Sequence, residues 1–205
     1  MTSRKIGVAA AAAAALMFAS GGLAQAQAQT GATSTPVTHG APLPGVCVFS
    51  SQQAVGTSTV GKYVGTRMQQ IVGQVNSELQ TERTAIDTEA KALDAQKTTL
   101  DKATLQTRAQ GLQTRFEAWQ TKAGQREREV QATEQKAFLR VAQEMDPLIK
   151  SAYQTNHCSI LFERDNVILA NPAMDLTPTV VAGLNAKIQQ FAFDRENLPA
   201  QAAGQ

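Results

Sequence analysis

Apolar residues recur at helical spacing along the middle of the chain, and this spacing predicts a helix with one buried stripe. The apolar positions of the first series are Val60, Val64, Met68, Ile71, Val75, Leu79, Ile86, Leu93 and Leu100. One heptad position is apolar throughout, whereas the companion position is polar at Glu82, Glu89 and Gln96. Because a coiled coil fills both positions, the hydrophobic seam of this helix is expected to be thin.

A second helical series follows and again predicts one apolar stripe. Its members are Leu105, Ala109, Leu112, Phe116, Trp119, Ala123, Val130, Ala137, Val141, Leu148 and Ala152, with interruptions at Arg126 and Thr133. No proline lies between Val60 and Asp146. A single helix of that length would exceed about 120 Å, which is improbable for so narrow a stripe. We therefore predict two antiparallel helices, with the turn in the weakly periodic stretch "QKTTLDKAT", residues 96–104.

Pro147 follows Asp146 near the end of the second helix. Proline removes one backbone donor and crowds the preceding turn, so it kinks or breaks a helix. Two interpretations remain open from the sequence. The residue kinks the helix and directs its last turns back towards the start, or it begins a new helical segment.

Short apolar runs on either side of the helical region predict a small sheet. "VCVF", Val46–Phe49, is expected to be the first strand, and residues 50–59 a polar loop or irregular turn. Further along, "SILF" (159–162) and "VILA" (167–170) are separated by a charged turn at 163–166. That arrangement predicts a β-hairpin.

Two helix starts carry capping signals. Thr57 or Ser58 can cap the first long helix by accepting a hydrogen bond from the free N–H groups of its first turn. The stretch "DLTPTVVAGLNAKIQQF" predicts a short final helix with Thr177 as its N-cap and Pro178 at its first position. Val181, Leu184 and Ile188 would form its apolar face.

The first residues have the features of a secretory signal peptide. Arg4 and Lys5 precede an apolar run that is short for a membrane span, and A-x-A cleavage sites follow. The predicted organisation is a signal peptide at 1–26, a disordered linker at 27–45, a β-rich body at 46–59 and 156–195, a helical hairpin at 60–155, and a flexible tail at 196–205. The expected location is therefore outside the cytoplasm.

Removal of Arg4 and Lys5 with the signal peptide would leave 17 basic and 17 acidic residues, out of 19 and 17 in the full sequence. A neutral chain without a basic patch argues against a nucleic-acid partner. The sequence also contains no phosphate-binding glycine loop, nucleophile motif or metal-spaced histidine cluster, so we expect no enzyme, cofactor or metal. The run "QREREV", residues 125–130, is interpreted as a solvated helix face.

Two cysteines, Cys47 and Cys158, remain in a chain that is expected to be exported. An oxidising compartment permits a disulfide between them, which is the first interpretation, and two buried unpaired thiols are the alternative. Neither cysteine lies in a Cys-x-x-Cys motif, which disfavours a redox or metal pair.

A few short strands and a small helix make a meagre core for one chain, since a two-stranded sheet is marginal in water. We therefore expect an α+β fold in which several copies join their sheets into a shared body. The residues expected to form this oligomerisation surface are Val46, Val48, Phe49, Ile160, Leu161, Phe162, Val167, Ile168, Leu169, Leu184 and Ile188.

Several motifs, in this order and spacing, resemble the Skp/OmpH family of periplasmic chaperones. "TSTVGKYV" is similar to the family's helix start, here Ser58, Gly61, Lys62 and Val64. "ILFERDNVILA" resembles its strand, charged turn and strand, and "MDLT" is similar to its cap at Asp175, Leu176 and Thr177. The resemblance covers about residues 46–191. Two departures are the neutral charge, where the family is commonly basic, and Ser50, where the family often has Asp.

The resemblance implies a homotrimer shaped like a jellyfish, in which helical hairpins enclose unfolded outer-membrane β-barrel proteins. Such a holdase would act in the periplasm without ATP, and its contact with membrane or lipopolysaccharide is weakened by the neutral charge. Adaptable apolar side chains suit this task. The candidates for client binding are Met68, Phe116, Trp119, Phe138 and Met145, all of which could instead fill the seam of the hairpin. The alternative function is an envelope scaffold without chaperone activity.

Overall fold

The computed structural model describes residues 37–199. The predicted signal peptide, the first part of the predicted linker and the last six residues lie outside this range. The elements in chain order are β1 (Val46–Phe49), α1 (Ser51–Thr57), α2 (Thr59–Ala95), α3 (Lys102–Thr155), β2 (Ile160–Glu163), two 3-10 turns (Arg164–Asn166 and Pro172–Met174) and α4 (Thr177–Lys187). A small sheet and two long helices confirm the predicted α+β class.

The junction between α1 and α2 explains the start of the long helix. Ser58 caps α2, because its hydroxyl accepts a hydrogen bond from the Gly61 N–H at 3.2 Å. At Gly61 a Cβ atom would lie 1.8 Å from the Val55 carbonyl oxygen, so only glycine fits this close approach. The prediction of a loop over residues 50–59 was wrong, since Ser50 caps a seven-residue helix by accepting from the Gln53 N–H at 3.1 Å.

The turn between the long helices lies within the predicted stretch. α2 ends at Ala95 and α3 begins at Lys102. Asp101 caps α3 by accepting a hydrogen bond from the Thr104 N–H at 3.0 Å. Hydrogen bonds from Thr104 also lower the pKa of the Asp101 carboxyl. The capped turn ends one helix and starts the next.

α3 is a single helix of 54 residues that continues through Pro147. This resolves the open question about Pro147 against the start of a separate helical segment. At about 1.5 Å per residue, α2 is about 55 Å long and α3 about 80 Å. α3 therefore extends further than α2 and carries the chain back to β2.

The predicted β-hairpin is wrong. β2 pairs with β1 in parallel, in a register from Val46 opposite Ile160 to Phe49 opposite Glu163. Residues 167–170 form no strand. On the other side of β1, Val48 bridges to Asp175 and its carbonyl oxygen accepts from the Leu176 N–H at 2.9 Å.

The side chains of residues 163–166, predicted as the turn of a hairpin, explain why β2 pairs with β1 instead. Both carboxylate oxygens of Glu163 accept hydrogen bonds from Ser51, one from its N–H at 2.9 Å and one from its hydroxyl at 2.8 Å. Arg164 forms an ion pair with Asp175 at 3.2 Å. These side chains bind α1 and the segment before α4, so they do not form a hairpin turn.

The start of α4 differs from the prediction in one detail. Thr177 is the first helical residue and Leu176 is the N-cap, which makes no side-chain capping bond. The Thr177 hydroxyl instead accepts a hydrogen bond from the Ser50 N–H at 2.9 Å, in a buried position. Asp175 accepts from the Thr177 N–H at 2.8 Å. Thr177 therefore joins the start of α4 to the end of β1.

The hydrophobic core lies where the sheet and α4 meet α1 and the adjoining ends of the long helices. Its fully or nearly fully buried side chains include Val48, Ala54, Val60, Val64, Ile71, Val141, Val180 and Leu184. A disulfide joins Cys47 of β1 to Cys158, just before β2, and both residues are buried. The bond resolves the alternative of unpaired thiols and connects the two chain segments that flank the helical hairpin.

Candidate functional site

The distal part of the helical hairpin contains an aromatic cluster instead of a filled hydrophobic seam. Phe116 and Trp119 stack with ring centroids 5.8 Å apart, and both are half-buried. The indole N–H of Trp119 donates to the Leu79 carbonyl oxygen at 3.0 Å. The Arg83 guanidinium lies 4.8 Å from the Phe116 ring centroid and 5.2 Å from that of Trp119. The cluster therefore connects α2 to α3 while leaving aromatic surface accessible.

Charged side chains connect the two long helices near their middle. We call them, together with Arg195 from the segment after α4, the inter-arm ionic cluster, since α2 and α3 are the two arms of the hairpin. Its members are Glu78, Glu82, Lys122, Arg126, Glu129 and Arg195. Glu78 contacts Lys122 at 2.8 Å and Arg126 at 3.2 Å. Hydrogen bonds from Lys122, and then from Arg126, lower the pKa of Glu78 to about 2. Hydrogen bonds from Glu78 and Glu82 in turn raise the pKa of Lys122.

Glu129 is fully buried, with 0% of its surface exposed. Arg126 contacts its carboxylate at 2.8 Å and Arg195 at 3.1 Å, so the buried charge is compensated from two sides. The interpretation of residues 125–130 as a solvated face was therefore wrong for Arg126 and Glu129. The interruption of the apolar series at Arg126 was the signal for this cluster, since it faces Glu78 on the other helix.

The remaining client-binding candidates lie near the core. Met145 is 4% exposed and Met68 8% exposed, and both belong to the hydrophobic core. Phe138 is half-buried against that core. A cavity of about 490 Å³ opens beside it between the long helices. Its lining includes Met68, Val72, Val130 and Phe138. Of the five candidates, Phe116, Trp119 and Phe138 keep partial exposure, whereas the two methionines serve the core.

The residues after α4 bind back onto the helical hairpin, which the sequence reasoning missed. We call residues 189–198 the C-terminal strap. Its Phe191 and Phe193 rings lie 6.5 and 6.4 Å from the ring of Tyr63 on α2. Its last residues bond to α3, where Thr133 accepts from the Glu196 N–H at 2.8 Å. The region predicted as a flexible tail from residue 196 thus begins with specific contacts.

The predicted oligomerisation residues fall into three groups by their exposure. Val48, Phe49 and Leu184 are buried in the core of this chain. Four others form exposed apolar surface beside the sheet: Ile160, Phe162, Ile168 and Leu169. The half-buried members are Val46, Leu161, Val167 and Ile188.

A cavity of about 660 Å³ lies within the exposed surface beside the sheet, lined by Leu43, Val46, Phe162 and residues 166–171 among others. Ile168 is 97% exposed, which is unusual for a large apolar side chain. Of the predicted oligomerisation residues, the four on this surface are the most exposed, and their role in association stays a prediction.

Within residues 37–199 no cluster of three or more histidine, cysteine, aspartate or glutamate side chains could hold a metal ion. Among the helices of the same range, none combines the length and apolar character that crossing a membrane requires. The candidate functional surfaces are the partly exposed aromatic and ionic contacts of the helical hairpin, and the exposed apolar face beside the sheet.

Comparison with known proteins agrees with this architecture. The family model described as "Outer membrane protein (OmpH-like)" matches residues 45–184. A crystal structure of a candidate OmpH-like outer membrane chaperone from Caulobacter crescentus CB15 has 54% sequence identity and a TM-score of 0.77. The similarity covers 82% of this chain and 99% of that one. No curated protein matches significantly. The extent of the family match, together with the shared fold, shows that the chain belongs to the OmpH-like family.

Proposed function

We propose that this protein is an ATP-independent holdase that binds unfolded outer-membrane β-barrel proteins in the periplasm and prevents their aggregation. The observation that carries the proposal is the 54% identity, over 82% of the chain, to the candidate OmpH-like outer membrane chaperone. The binding surface would be the inner side of helical hairpins from several copies. Release would follow when the client folds into the membrane.

The chemistry of the hairpin supports weak and adaptable binding. Unfolded barrel proteins expose apolar strand faces and open strand edges, which promote aggregation. The partly exposed aromatic side chains Phe116, Trp119 and Phe138 can contact apolar segments of many sequences. The charged side chains around them keep the unoccupied hairpin hydrated. Many small contacts of this kind retain a client without imposing a single conformation.

The apolar surface beside the sheet supports association into a trimer. Ile160, Phe162, Ile168 and Leu169 are 44–97% exposed in the single chain. Burying such side chains contributes about 1.5–3 kcal/mol each. A trimer formed through this surface would hold three helical hairpins around one cavity, and the client would occupy that cavity.

The test combines sedimentation with a client challenge. The protein without residues 1–26 is sedimented alone and after dilution of a urea-unfolded outer-membrane β-barrel protein into it. We expect a trimer that keeps the client soluble in a complex of defined size. A stable oligomer that lets the client aggregate would contradict the holdase proposal and favour an envelope scaffold. A monomer would contradict the shared body.

A variant pair tests the proposed trimer surface. Ile168→Ser removes the most exposed apolar side chain and should shift the trimer towards monomer. Asp165→Ser, at a nearby exposed polar position, is the control and should leave the oligomer unchanged. Equal sedimentation of the Ile168 variant and the native protein would place the association surface elsewhere.

A further inference from the structure

The C-terminal strap binds the helical hairpin in the manner of a peptide ligand. Alternate residues of its first half face the helices: Phe191, Phe193 and Arg195 are half-buried, whereas Ala192 and Asp194 are exposed. This period of two is the pattern of an extended strand that covers a surface with one face. The structure assigns no helix or strand to these residues. The strap is therefore an extended segment held from outside itself.

Side chains of the hairpin recognise the backbone of the strap. The Arg67 guanidinium donates to the Phe193 carbonyl oxygen at 3.2 Å, and the Gln125 side chain donates to the Leu198 carbonyl oxygen at 3.0 Å. The Thr133 hydroxyl accepts from the Glu196 N–H at 2.8 Å. Such bonds do not depend on the side chains of the bound segment. They would form with any extended chain that lay in the same place.

An aromatic slot supplies the apolar part of the site. Phe191 and Phe193 contact each other at 5.4 Å between ring centroids, and both contact Tyr63 of α2. Because Phe191 and Phe193 lie two residues apart, their side chains point to the same side of an extended segment. Another segment would place apolar side chains at both positions only if its apolar and polar residues alternate. Space remains beside the strap, in a groove of about 560 Å³ that runs along α3 and includes the exposed Leu139.

We propose that the groove, meaning the surface of α2 and α3 that the strap covers together with the space beside it along α3, is a binding site for extended polypeptide segments with apolar residues at alternate positions, and that the C-terminal strap is its resident competitor. This inference rests on the proposed holdase function, because strands of membrane β-barrels alternate apolar and polar residues in this way. A client segment with this pattern would displace the strap and take over its bonds to Arg67, Gln125 and Thr133.

Competition by a tethered segment has a measurable consequence. If the strap occupies the groove about nine-tenths of the time, the apparent affinity for a free peptide falls about tenfold. The strap also occupies the groove at high effective concentration, since it is joined directly to α4. Loosening the strap should therefore raise the affinity for a peptide added from solution.

The experiment uses the protein without residues 1–26 and a fluorescent peptide with the sequence of residues 189–199. Phe191→Ser combined with Phe193→Ser loosens the strap and leaves both long helices unchanged. We expect this variant to bind the peptide about tenfold more tightly than the native protein, measured by fluorescence anisotropy. Asn197→Ser, at an exposed strap position, is the matched control and should bind as the native protein does.

A second peptide tests the alternation. It has the same composition, but the residues corresponding to Phe191 and Ala192 are exchanged, so that the two phenylalanines are adjacent. We expect the loosened variant to bind this peptide at least tenfold more weakly than the first. Equal binding of both peptides would overturn the proposed recognition of alternate residues.

A milder variant covers the case in which the double variant fails to fold, as judged by far-UV circular dichroism. Asp194→Asn removes an ion pair with Arg67 at a side chain that is 88% exposed, so the core is untouched. Its peptide affinity should rise about two- to fivefold, as expected for loss of one exposed ion pair. Peptide binding that is unchanged in every folded strap variant would overturn the proposal.

A parallel series of measurements with an unfolded client separates this proposal from the holdase proposal. The same variants are mixed with the urea-unfolded barrel protein, and soluble complex is measured. If the native protein holds the client but loosened straps bind neither peptide nor client more tightly, the groove proposal fails and the holdase proposal stands. If no variant holds the client while peptide binding follows the expected order, the holdase proposal fails and the groove remains a peptide site.

Discussion

The two halves of the helical hairpin are held together by different forces. Near the body, α2 and α3 share a hydrophobic core whose buried members include Val60, Val64, Ile71, Val141 and Met145. The structure describes every residue of both helices towards the tip. There α3 has no buried residue before Glu129, and Ile86 is the only buried residue of α2 beyond Val75. There the helices are joined by the inter-arm ionic cluster, by the hydrogen bond from the Trp119 indole to the Leu79 carbonyl oxygen, and by the Arg83 guanidinium over the two aromatic rings.

These two kinds of contact allow one hairpin to be fixed at the body end and still change conformation towards its tip. Buried apolar contacts are strong and are not screened by salt, so the body end holds the helices in one arrangement. In the distal half, the ion pairs of Glu78 and Glu82 are partly exposed, unlike those of the buried Glu129, so they are weak and are screened at physiological ionic strength. The distal half should therefore open at lower free energy than the body end, as the proposed binding of different clients would require.

The largest expected effect concerns the disulfide at the body end. Cys47 and Cys158 lie 111 residues apart, and they enclose the whole hairpin in one covalent loop. Replacing both residues by alanine should lower the free energy of unfolding by about 4 kcal/mol, because the unfolded chain regains its loop entropy. Urea unfolding followed by far-UV circular dichroism measures this loss.

Mild reduction of the native protein serves as the control for the cysteine variant. Both residues are buried, so the folded protein should resist reduction until urea opens the body. A double alanine variant as stable as the native protein, within about 1 kcal/mol, would show that the disulfide does not constrain the unfolded chain. The body end would then owe its stability to packing alone.

A matched pair of leucine substitutions compares the two ends directly. Leu184 of α4 is fully buried at the body end, and Leu112 of α3 is half-buried in the distal half. Leu184→Ala should cost about 3 kcal/mol, since it removes transfer energy and leaves a cavity. Leu112→Ala should cost less than about 1 kcal/mol. Equal losses in urea unfolding would contradict the contrast between the two halves.

The smallest expected effect is a pH-dependent loosening of the distal half. Glu78 has a folded-state pKa of about 2, below its ordinary value of 4.5, because Lys122 and Arg126 hold the carboxylate. Its contribution is present above pH 4.5 and is lost as the pH falls through 2. Allowing for solvent screening, the contribution is about 1 kcal/mol. The fluorescence of Trp119, the single tryptophan, should report the loosening.

Two variants make the pH experiment specific. Glu78→Gln should remove most of the change in Trp119 fluorescence between pH 4.5 and 2. Glu127→Gln changes an exposed carboxylate on α3 outside the ionic cluster and should leave the change intact. The assignment to Glu78 would be wrong if both variants kept the native pH profile.

Much of the fold followed from local signals. The apolar period predicted both long helices, and the weak stretch at residues 96–104 contained the turn. Ser58 was one of two predicted caps, and Val46–Phe49 was predicted as a strand with the bounds that the structure shows. These features depend on residues close together in the chain, so periodicity and capping chemistry were sufficient to find them.

The candidate site was predicted less well. Phe116, Trp119 and Phe138 keep partial exposure, whereas Met68 and Met145 lie in the core, and client binding by any of them stays a prediction. The strap was missed because its partners Tyr63, Arg67 and Thr133 are far away in sequence. The parallel pairing of β1 with β2 was missed for a related reason, since Glu163 and Arg164 bind Ser51 and Asp175 instead of closing a turn.

Repeating patterns and short motifs encode the helical hairpin, the position of its tip and the resemblance to the OmpH-like family, so the amino-acid sequence alone was sufficient to predict them. The partner and direction of β2, the disulfide, the burial of Glu129 and the docking of the strap became known only from the three-dimensional contacts. Each of these features depends on residues that are far apart in sequence, such as Thr133 and Glu196, which are 63 residues apart, or Cys47 and Cys158, which are 111 residues apart. Their energies depend on which groups meet in space, and no local pattern specifies that.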